Sequence, residues 1–288
     1  MEARQARTGP MRIHPHITQR LAVIAMWTLT VITLGVLLFI IAYIFWHGLP
    51  HVTWSFLSES PRSMGREGGV LPMIVGTIWV AGLAVALAAP IGVATAVYLT
   101  EYTREGRLTA VIRFGADCLA GIPSIIFGLF GFVFFAIYLG MGLSVISGAL
   151  TLALMVLPTI IRTSEEAIRA VPQAYREVSF GLGSTRWQMV TRVVLKSAMP
   201  GIGTGIVLSI GRSISETAAV MLTAGSALGF PHSLLDSSRT MALHFYILSR
   251  EGISMTNAYA TASVLILAIL AINLAAYWLM RRFIAKVA

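Results

Sequence analysis

Two ionisable residues of opposite charge, Arg212 and Glu216, lie within an otherwise apolar stretch of the sequence. Their four-residue spacing puts them one turn apart on the same face of a helix. An ionised side chain at membrane depth costs about 2.5 to 3.5 kcal/mol on insertion scales, which suggests a function. Arginine can donate two parallel hydrogen bonds to a tetrahedral oxyanion, and glutamate can accept a proton from one. Hydroxyl partners are available nearby at Ser213, Ser215 and Thr217.

A structural ion pair is the alternative interpretation of Arg212 and Glu216, because a neutralised pair also allows a polar helix inside a bundle. Another basic residue, Arg162, ends a different apolar stretch. It is interpreted either as a second anion contact or as an interfacial residue that reaches the lipid headgroups. Asp117 is expected to pair with Arg113, one turn earlier.

The composition indicates a membrane protein. Of 288 residues, 57% are hydrophobic and only 11% are charged. Several apolar stretches exceed the roughly 18 residues that mark a transmembrane helix. The sequence therefore predicts an all-α membrane protein with six transmembrane helices, at residues 21–45, 71–99, 114–139, 143–161, 201–224 and 258–280.

The basic residues indicate the orientation of these spans. Most of the positive charge falls on one side, whereas the opposite side holds Arg62, Arg66, Arg239 and Arg250. The positive-inside rule makes the basic side cytoplasmic, with both termini there, in the cytoplasmic (inner) membrane. The net charge of +9 thus reports topology, and nucleic acid is not expected as a partner. The predicted organisation is a basic tail at 1–20, an anchor at 21–45, an outer loop at 46–70, a membrane domain at 71–280 and a basic tail at 281–288.

The cytoplasmic loop at 162–200 is polar and carries helix signals. Thr163 with Glu166, and Thr185 with Gln188, have the spacing of capping boxes, and Pro172 suits the opening of a helix between them. Three short cytoplasmic helices are therefore predicted.

The middle helix, at 173–182, places Ala174, Val178 and Leu182 on one face. Such a half-apolar helix is expected to dock on a partner, with Arg176 and Glu177 making charge-assisted contacts at the rim. An amphipathic helix lying in the lipid headgroups is the alternative.

This loop resembles the EAA motif of ABC import permeases, in which a glutamate, two alanines, a glycine and a later leucine-proline follow in order. The matching residues are Glu177, Gly183, Leu195 and, displaced, Pro200. Val178 and Ser179 stand in place of the two alanines, and Lys196 in place of the first proline. The resemblance implies a coupling helix that fits a cleft on a nucleotide-binding subunit. The coupling residues that it implies are Arg176, Glu177, Val178, Ser179, Gly181 and Gly183.

A second resemblance covers the chain from about Leu71 to its C-terminus. Segment 211–218 is similar to the glycine-arginine and glutamate-threonine signature of phosphate-specific permeases, with Ser215 where glycine is commoner, and segment 157–166 is similarly close. The sequence thus resembles PstA-type permease subunits of phosphate ABC importers. This resemblance implies the type I ABC importer permease fold and half of a path for inorganic phosphate. The path residues would be Arg212, Glu216, Ser213, Thr217 and Arg162.

The same resemblance implies several partners: a related second permease (PstC-type), two ATPase subunits (PstB-type), an extracytoplasmic phosphate-binding protein and the lipid bilayer. The sequence has no Walker A motif, since neither Lys196 nor Lys286 follows a glycine-rich loop. We therefore expect a subunit that is not an enzyme and binds no cofactor, with ATP and Mg in the partner ATPase subunits. The residues alone leave open a permease for another anion, or a secondary transporter that uses Glu216 as a proton site.

Overall fold

The computed structural model describes residues 15–104 and 106–287, so the predicted tail residues Arg4, Arg7 and Arg12 lie outside the described residues. The chain divides into two units, with the boundary after Trp46. Helix α1 (Pro15–Gly48) contains the predicted anchor at 21–45. Its apolar part is long enough to cross a bilayer, with a mean hydropathy of 2.5.

The second unit begins with a folded outer segment. After a single 3-10 turn (Leu49–His51) come the short helix α2 (Trp54–Ser58) and two strands, β1 (Pro61–Arg62) and β2 (Glu67–Gly68), which pair antiparallel. A second 3-10 turn (Ser63–Gly65) joins the strands. Helix α3 (Leu71–Val97) follows, is long and apolar enough to cross a membrane, and ends in a wider, π-helical turn (Tyr98–Tyr102). The predicted span at 71–99 is confirmed.

The predicted span at 114–139 is not one straight helix. It consists of α4 (Arg107–Ala120) and α5 (Ser124–Gly131), the latter prolonged by a π-helical segment (Phe132–Tyr138), and the two parts meet at 101°. Proline lacks an amide donor and disfavours helical conformation in the preceding residue, so Pro123 explains the bend. With this bent pair counted as one span, the described part of the chain has six candidate spans.

The loop at 162–200, predicted to be cytoplasmic, contains one separate short helix instead of three. Helix α6 (Val145–Arg169) runs past the predicted end of its span, and α7 (Gln173–Gly181) follows. Helix α8 (Arg186–Met189) continues through a π-helical turn (Val190–Val194) into α9 (Leu195–Ser215). The capping box of Thr185 and Gln188 is confirmed. The one predicted at Thr163 is wrong, because the Thr163 hydroxyl lies within α6 and donates to the Thr159 carbonyl at 2.8 Å.

The predicted span at 201–224 is also interrupted. Helix α9 ends at Ser215, and α10 (Ala218–Thr223) starts three residues later. Helix α11 (Met241–Arg250) and the last candidate span, α12 (Met255–Val287), complete the fold. The Ser215 hydroxyl donates to the carbonyls of Gly211 and Arg212 at 3.0 and 3.1 Å. Because these bonds occupy carbonyls at the C-terminus of α9, they favour the end of the helix there.

Helices α3, α6 and α9 form the centre of the bundle. Small residues of α3, such as Ala84 and Ala88, share a buried cluster with Leu152 and Val156 of α6. Small residues recur at every fourth position of α9, at Gly201, Gly205, Ser209 and Ser213, and a Cβ on Gly201 would meet the Ala167 side chain at 2.5 Å. These small residues allow α9 to approach α6 closely.

Candidate coupling surface and anion-contact residues

Helix α7 presents an apolar face that no part of its own bundle covers. Val178 and Leu182 are 63% and 84% exposed, and Ala174 and Tyr175 on the same helix are also exposed. A large apolar side chain gains roughly 1.5 to 3 kcal/mol when it is fully buried, so a cluster of this kind favours docking. The predicted helix and its apolar face are both found. Glu177 lies beside them and is exposed.

Arg176 and Ser179 were predicted to lie on the docking surface, but both side chains lie on the covered side of α7. The Arg176 side chain is only 13% exposed and pairs with Glu101 at 2.7 Å, so it does not lie at the rim of a docking surface. Ser179 is buried, and its hydroxyl lies 2.7 Å from that of Ser184. Most of α7 is exposed, and these two side chains lie on its covered side.

The end of α7 is formed by a glycine with positive φ. Gly183 has a φ of +79°, a Cβ added to it would have nothing within 4 Å, and its amide donates to the Phe180 carbonyl at 2.9 Å. This left-handed conformation closes the helix in the manner of a C-terminal glycine cap. Gly181 is also surrounded by open space. Both glycines therefore lie on the free side of the loop.

The predicted anion-contact residues lie at the interruption between α9 and α10. Arg212 is exposed in the last turn of α9, and across the described residues its guanidinium has no hydrogen bond or ion pair. Glu216 adopts an extended backbone conformation and accepts the Ala219 amide at 3.3 Å. The alternative of a structural Arg212–Glu216 pair is thus not found. Ser213 is buried with an unpaired hydroxyl, and Thr217 precedes α10.

Arg162 belongs to a separate charged cluster near the C-terminal end of α6. It donates to Asp117 at 2.6 Å and lies 3.6 Å from Glu166. The expected pairing of Asp117 with Arg113 is replaced, since Arg113 lies 2.7 Å from Glu165. These groups line a cavity of about 220 Å³. The structure does not bring Arg162 into contact with the α9–α10 interruption, at least among the residues described.

A buried polar pair, Arg239 and His244, lies at the start of α11, and nothing in the sequence pattern indicated it. Arg239 is 5% exposed and donates to the Ser226 carbonyl at 2.9 Å, and its Nη1 lies 3.4 Å from His244 Nδ1. Burial, and secondly the charge of Arg239, lowers the pKa of His244 to about 4. Neutral His244 can then accept a hydrogen bond from Arg239 at Nδ1. Both residues lie outside the predicted spans, so hydropathy did not predict that they are buried.

Comparison with known proteins gives a consistent family. The family described as "Binding-protein-dependent transport system inner membrane component" matches residues 88–288. A probable ABC transporter permease protein, YqgI of Bacillus subtilis, is 31% identical over 280 residues, with 91% of this chain and 95% of the relative covered. The phosphate transport system permease protein PstA 1 of Mycobacterium tuberculosis is 36% identical over 287 residues, with 96% and 92% covered.

Solved structures agree on the fold. A bacterial alginate ABC transporter chain superposes with a TM-score of 0.66 at 16% identity and covers 95% of this chain and 98% of its own. A chain of the inward-facing MetNI methionine ABC transporter gives 0.62 at 20% identity, with 74% and 95% covered. The chain therefore belongs to the binding-protein-dependent transport system inner membrane component family. It is a multi-pass membrane protein with the type I ABC importer permease fold.

Proposed function

We propose that this chain is the permease subunit that forms half of the translocation path for inorganic phosphate in an ATP-driven importer. The exposed Arg212 guanidinium at the interruption of α9 and α10 carries the proposal. A permanent charge within a candidate span needs a partner, and the described residues of this chain provide none. A phosphate oxyanion fits a forked donor, and relatives 36% identical are named as phosphate transport permeases.

The path residues are proposed at the same interruption. Arg212 binds two oxygens of the anion, and the Glu216 carboxylate accepts a hydrogen bond from the protonated oxygen of hydrogen phosphate. The unpaired Ser213 hydroxyl and that of Thr217 lie next to them in the sequence and add hydrogen-bond partners. Arg162 serves as a second anion contact nearer the cytoplasm, where it now pairs with Asp117. Discontinuous helices are the usual place for such sites in transporters.

Helix α7 is proposed as the coupling helix. Its exposed apolar side chains Val178 and Leu182 enter a cleft on the ATPase subunit, Glu177 contacts the edge of the cleft, and Gly181 and Gly183 allow close backbone approach. Arg176 and Ser179 hold the helix from its inner side. The exposure of Leu182 supports this orientation, since a leucine 84% exposed to water is unfavourable in a free surface.

The proposed complex contains a PstC-type permease, two PstB-type ATPase subunits and an extracytoplasmic phosphate-binding protein. This chain binds no cofactor and hydrolyses no ATP; ATP and Mg belong to the ATPase subunits. Both termini are cytoplasmic, in keeping with the basic residues at the ends of the predicted spans. A cysteine introduced at Glu177 should accordingly be labelled by a membrane-impermeant maleimide in inside-out vesicles and not in right-side-out vesicles.

Co-purification of the chain with its subunits, followed by an ATPase assay, tests the proposal. An ATPase subunit should co-purify, and its activity in the reconstituted complex should rise when phosphate-loaded binding protein is added. A co-purified ATPase that responds to a different anion, and not to phosphate, would reject the substrate. Phosphate accumulation driven by a proton gradient without ATP would show that the chain is not part of an ATP-driven importer.

A further inference from the structure

A buried ion pair connects α7 with the cytoplasmic end of α3. Glu101, in the π-helical turn that ends α3, accepts hydrogen bonds from Arg176 Nε and Nη2 at 3.1 and 2.7 Å. The two side chains are 8% and 13% exposed. They are separated by 75 residues in the sequence, so the pair is a tertiary connection.

The same guanidinium also binds the end of α6. Its Nη1 donates to the Val171 carbonyl at 2.7 Å, and its Nη2 donates to the Ile168 carbonyl at 3.0 Å. These carbonyls follow or belong to the last turn of α6, where an arginine complements the helix dipole. One side chain of α7 thus contacts the ends of two spans at once.

No other contact described for α7 makes this connection as directly. The helix packs chiefly on the segments that follow it, α8 and the turn Val190–Val194, and Ser179 bonds to Ser184 on that side. The other ion pairs near α6 are more open, with the Arg162 side chain 66% exposed. A buried pair whose arginine donates four hydrogen bonds holds a fixed geometry better than an exposed one.

We propose that Arg176 and Glu101 are positioning residues that transmit a displacement of α7 to α3 and α6. This inference rests on the proposed function of α7 as the coupling helix. When the ATPase subunit moves α7, the fork of Arg176 carries the ends of α3 and α6 with it. Without the pair, α7 still docks, but its movement is no longer transferred fully to the spans.

The test is the amount of phosphate taken up per ATP hydrolysed in the reconstituted complex. Glu101→Gln keeps the shape of the side chain and removes its charge. We expect this variant to co-purify with the ATPase subunit and to lower the ratio between about twofold and about thirtyfold, the range measured for residues within coupling networks. Glu166→Gln is the matched control, because it removes a carboxylate that is 71% exposed at the end of α6 and should leave the ratio unchanged.

A purely structural role would reduce the amount of assembled complex without changing the ratio per assembled complex, and that result would overturn the inference. If Glu101→Gln does not assemble, Arg176→Lys is measured in the same way, because it keeps the charge but loses the fork. Failure of both variants to assemble would also contradict a role in transmission. Failure of the proposed function would be seen differently. The wild-type complex would then show no ATP-driven phosphate uptake, or a variant with an altered exposed face of α7, such as Leu182→Ala, would still retain the ATPase subunit.

Discussion

The carboxylate of Glu216 accepts the backbone amide of Ala219 at 3.3 Å instead of pairing with Arg212, which stands one turn before it in the sequence. The interruption of the helix after Ser215 separates the two side chains. It leaves the guanidinium exposed within a candidate span. This arrangement is the basis for the anion-binding role given to Arg212.

Replacement of Arg212 should weaken phosphate uptake while the complex still assembles. A charge-assisted hydrogen bond contributes about 1.5 to 3 kcal/mol, so Arg212→Gln should raise the phosphate-loaded binding-protein concentration for half-maximal uptake, or lower the maximal rate, by at least about tenfold. Arg212→Lys should lie between the wild type and Arg212→Gln, because lysine keeps the charge without the fork. Unchanged uptake in Arg212→Gln would remove this residue from the path.

The exposed face of α7 should be needed for binding of the ATPase subunit. Leu182→Ala removes an 84% exposed side chain, so the isolated permease should keep its stability while its affinity for the ATPase falls by at least about fivefold, as expected for an interface anchor. Leu108→Ala, at a leucine 64% exposed in α4, is the control. Equal ATPase retention by both variants in a salt-matched pull-down would argue against docking at α7.

Two glycines near the end of α7 should respond differently to alanine. Gly183 has a φ of +79°, so Gly183→Ala should cost about 1 to 2 kcal/mol and loosen the turn between α7 and α8. Gly181 lies in α7 with open space around it, and Gly181→Ala should be neutral or slightly stabilising in the isolated subunit. Limited proteolysis of the loop should be faster only in the Gly183 variant. Similar rates for both variants would contradict the glycine cap.

The region around His244 in α11 should lose folding stability as the pH falls. Burial beside Arg239 lowers the pKa of His244 to about 4, below its ordinary value of 6.5, so the unfolded chain takes up the proton first. Stability from this residue is therefore full above pH 6.5 and is lost between pH 6.5 and about 4, by about 3 kcal/mol in total.

Thermal unfolding of the purified protein at several pH values measures this loss. His244→Gln should have a lower Tm than the wild type at pH 7, and the difference should shrink toward pH 4.5, since glutamine does not titrate. The nearby charges that bear on His244 are Arg239 and, more weakly through Arg239, Glu251. Parallel pH profiles for the two proteins would show that His244 is not buried in its neutral form.

The sequence predicted the features that depend on local pattern. Apolar length located the spans, and Pro172 with Gly183 bounded α7 to within a residue or two. The interruption at Glu216 was missed because hydropathy does not show where a side-chain hydroxyl, such as that of Ser215, donates a hydrogen bond to a helix carbonyl. The span at 114–139 was predicted from its apolar length, which does not report the 101° bend within it.

Side-chain direction was the main feature that the sequence did not determine. Arg176 appeared to be a rim residue because its partner Glu101 is distant in the sequence and nothing local identifies it. Asp117 was assigned to the nearest arginine, whereas packing of α4 against α6 brings Arg162 to it. The burial of His244 beside Arg239 could not be read from the sequence, because it depends on packing around α11. In each case tertiary packing chose the partner.

Phosphate uptake by proteoliposomes that contain the purified complex tests the central claim most directly. With ATP at the ATPase side and phosphate-loaded binding protein at the opposite side, radiolabelled phosphate should accumulate against its gradient, and accumulation should stop when ATP is omitted while a pH gradient is kept. Equal accumulation from the pH gradient alone, or ATP hydrolysis without any phosphate accumulation, would contradict the account.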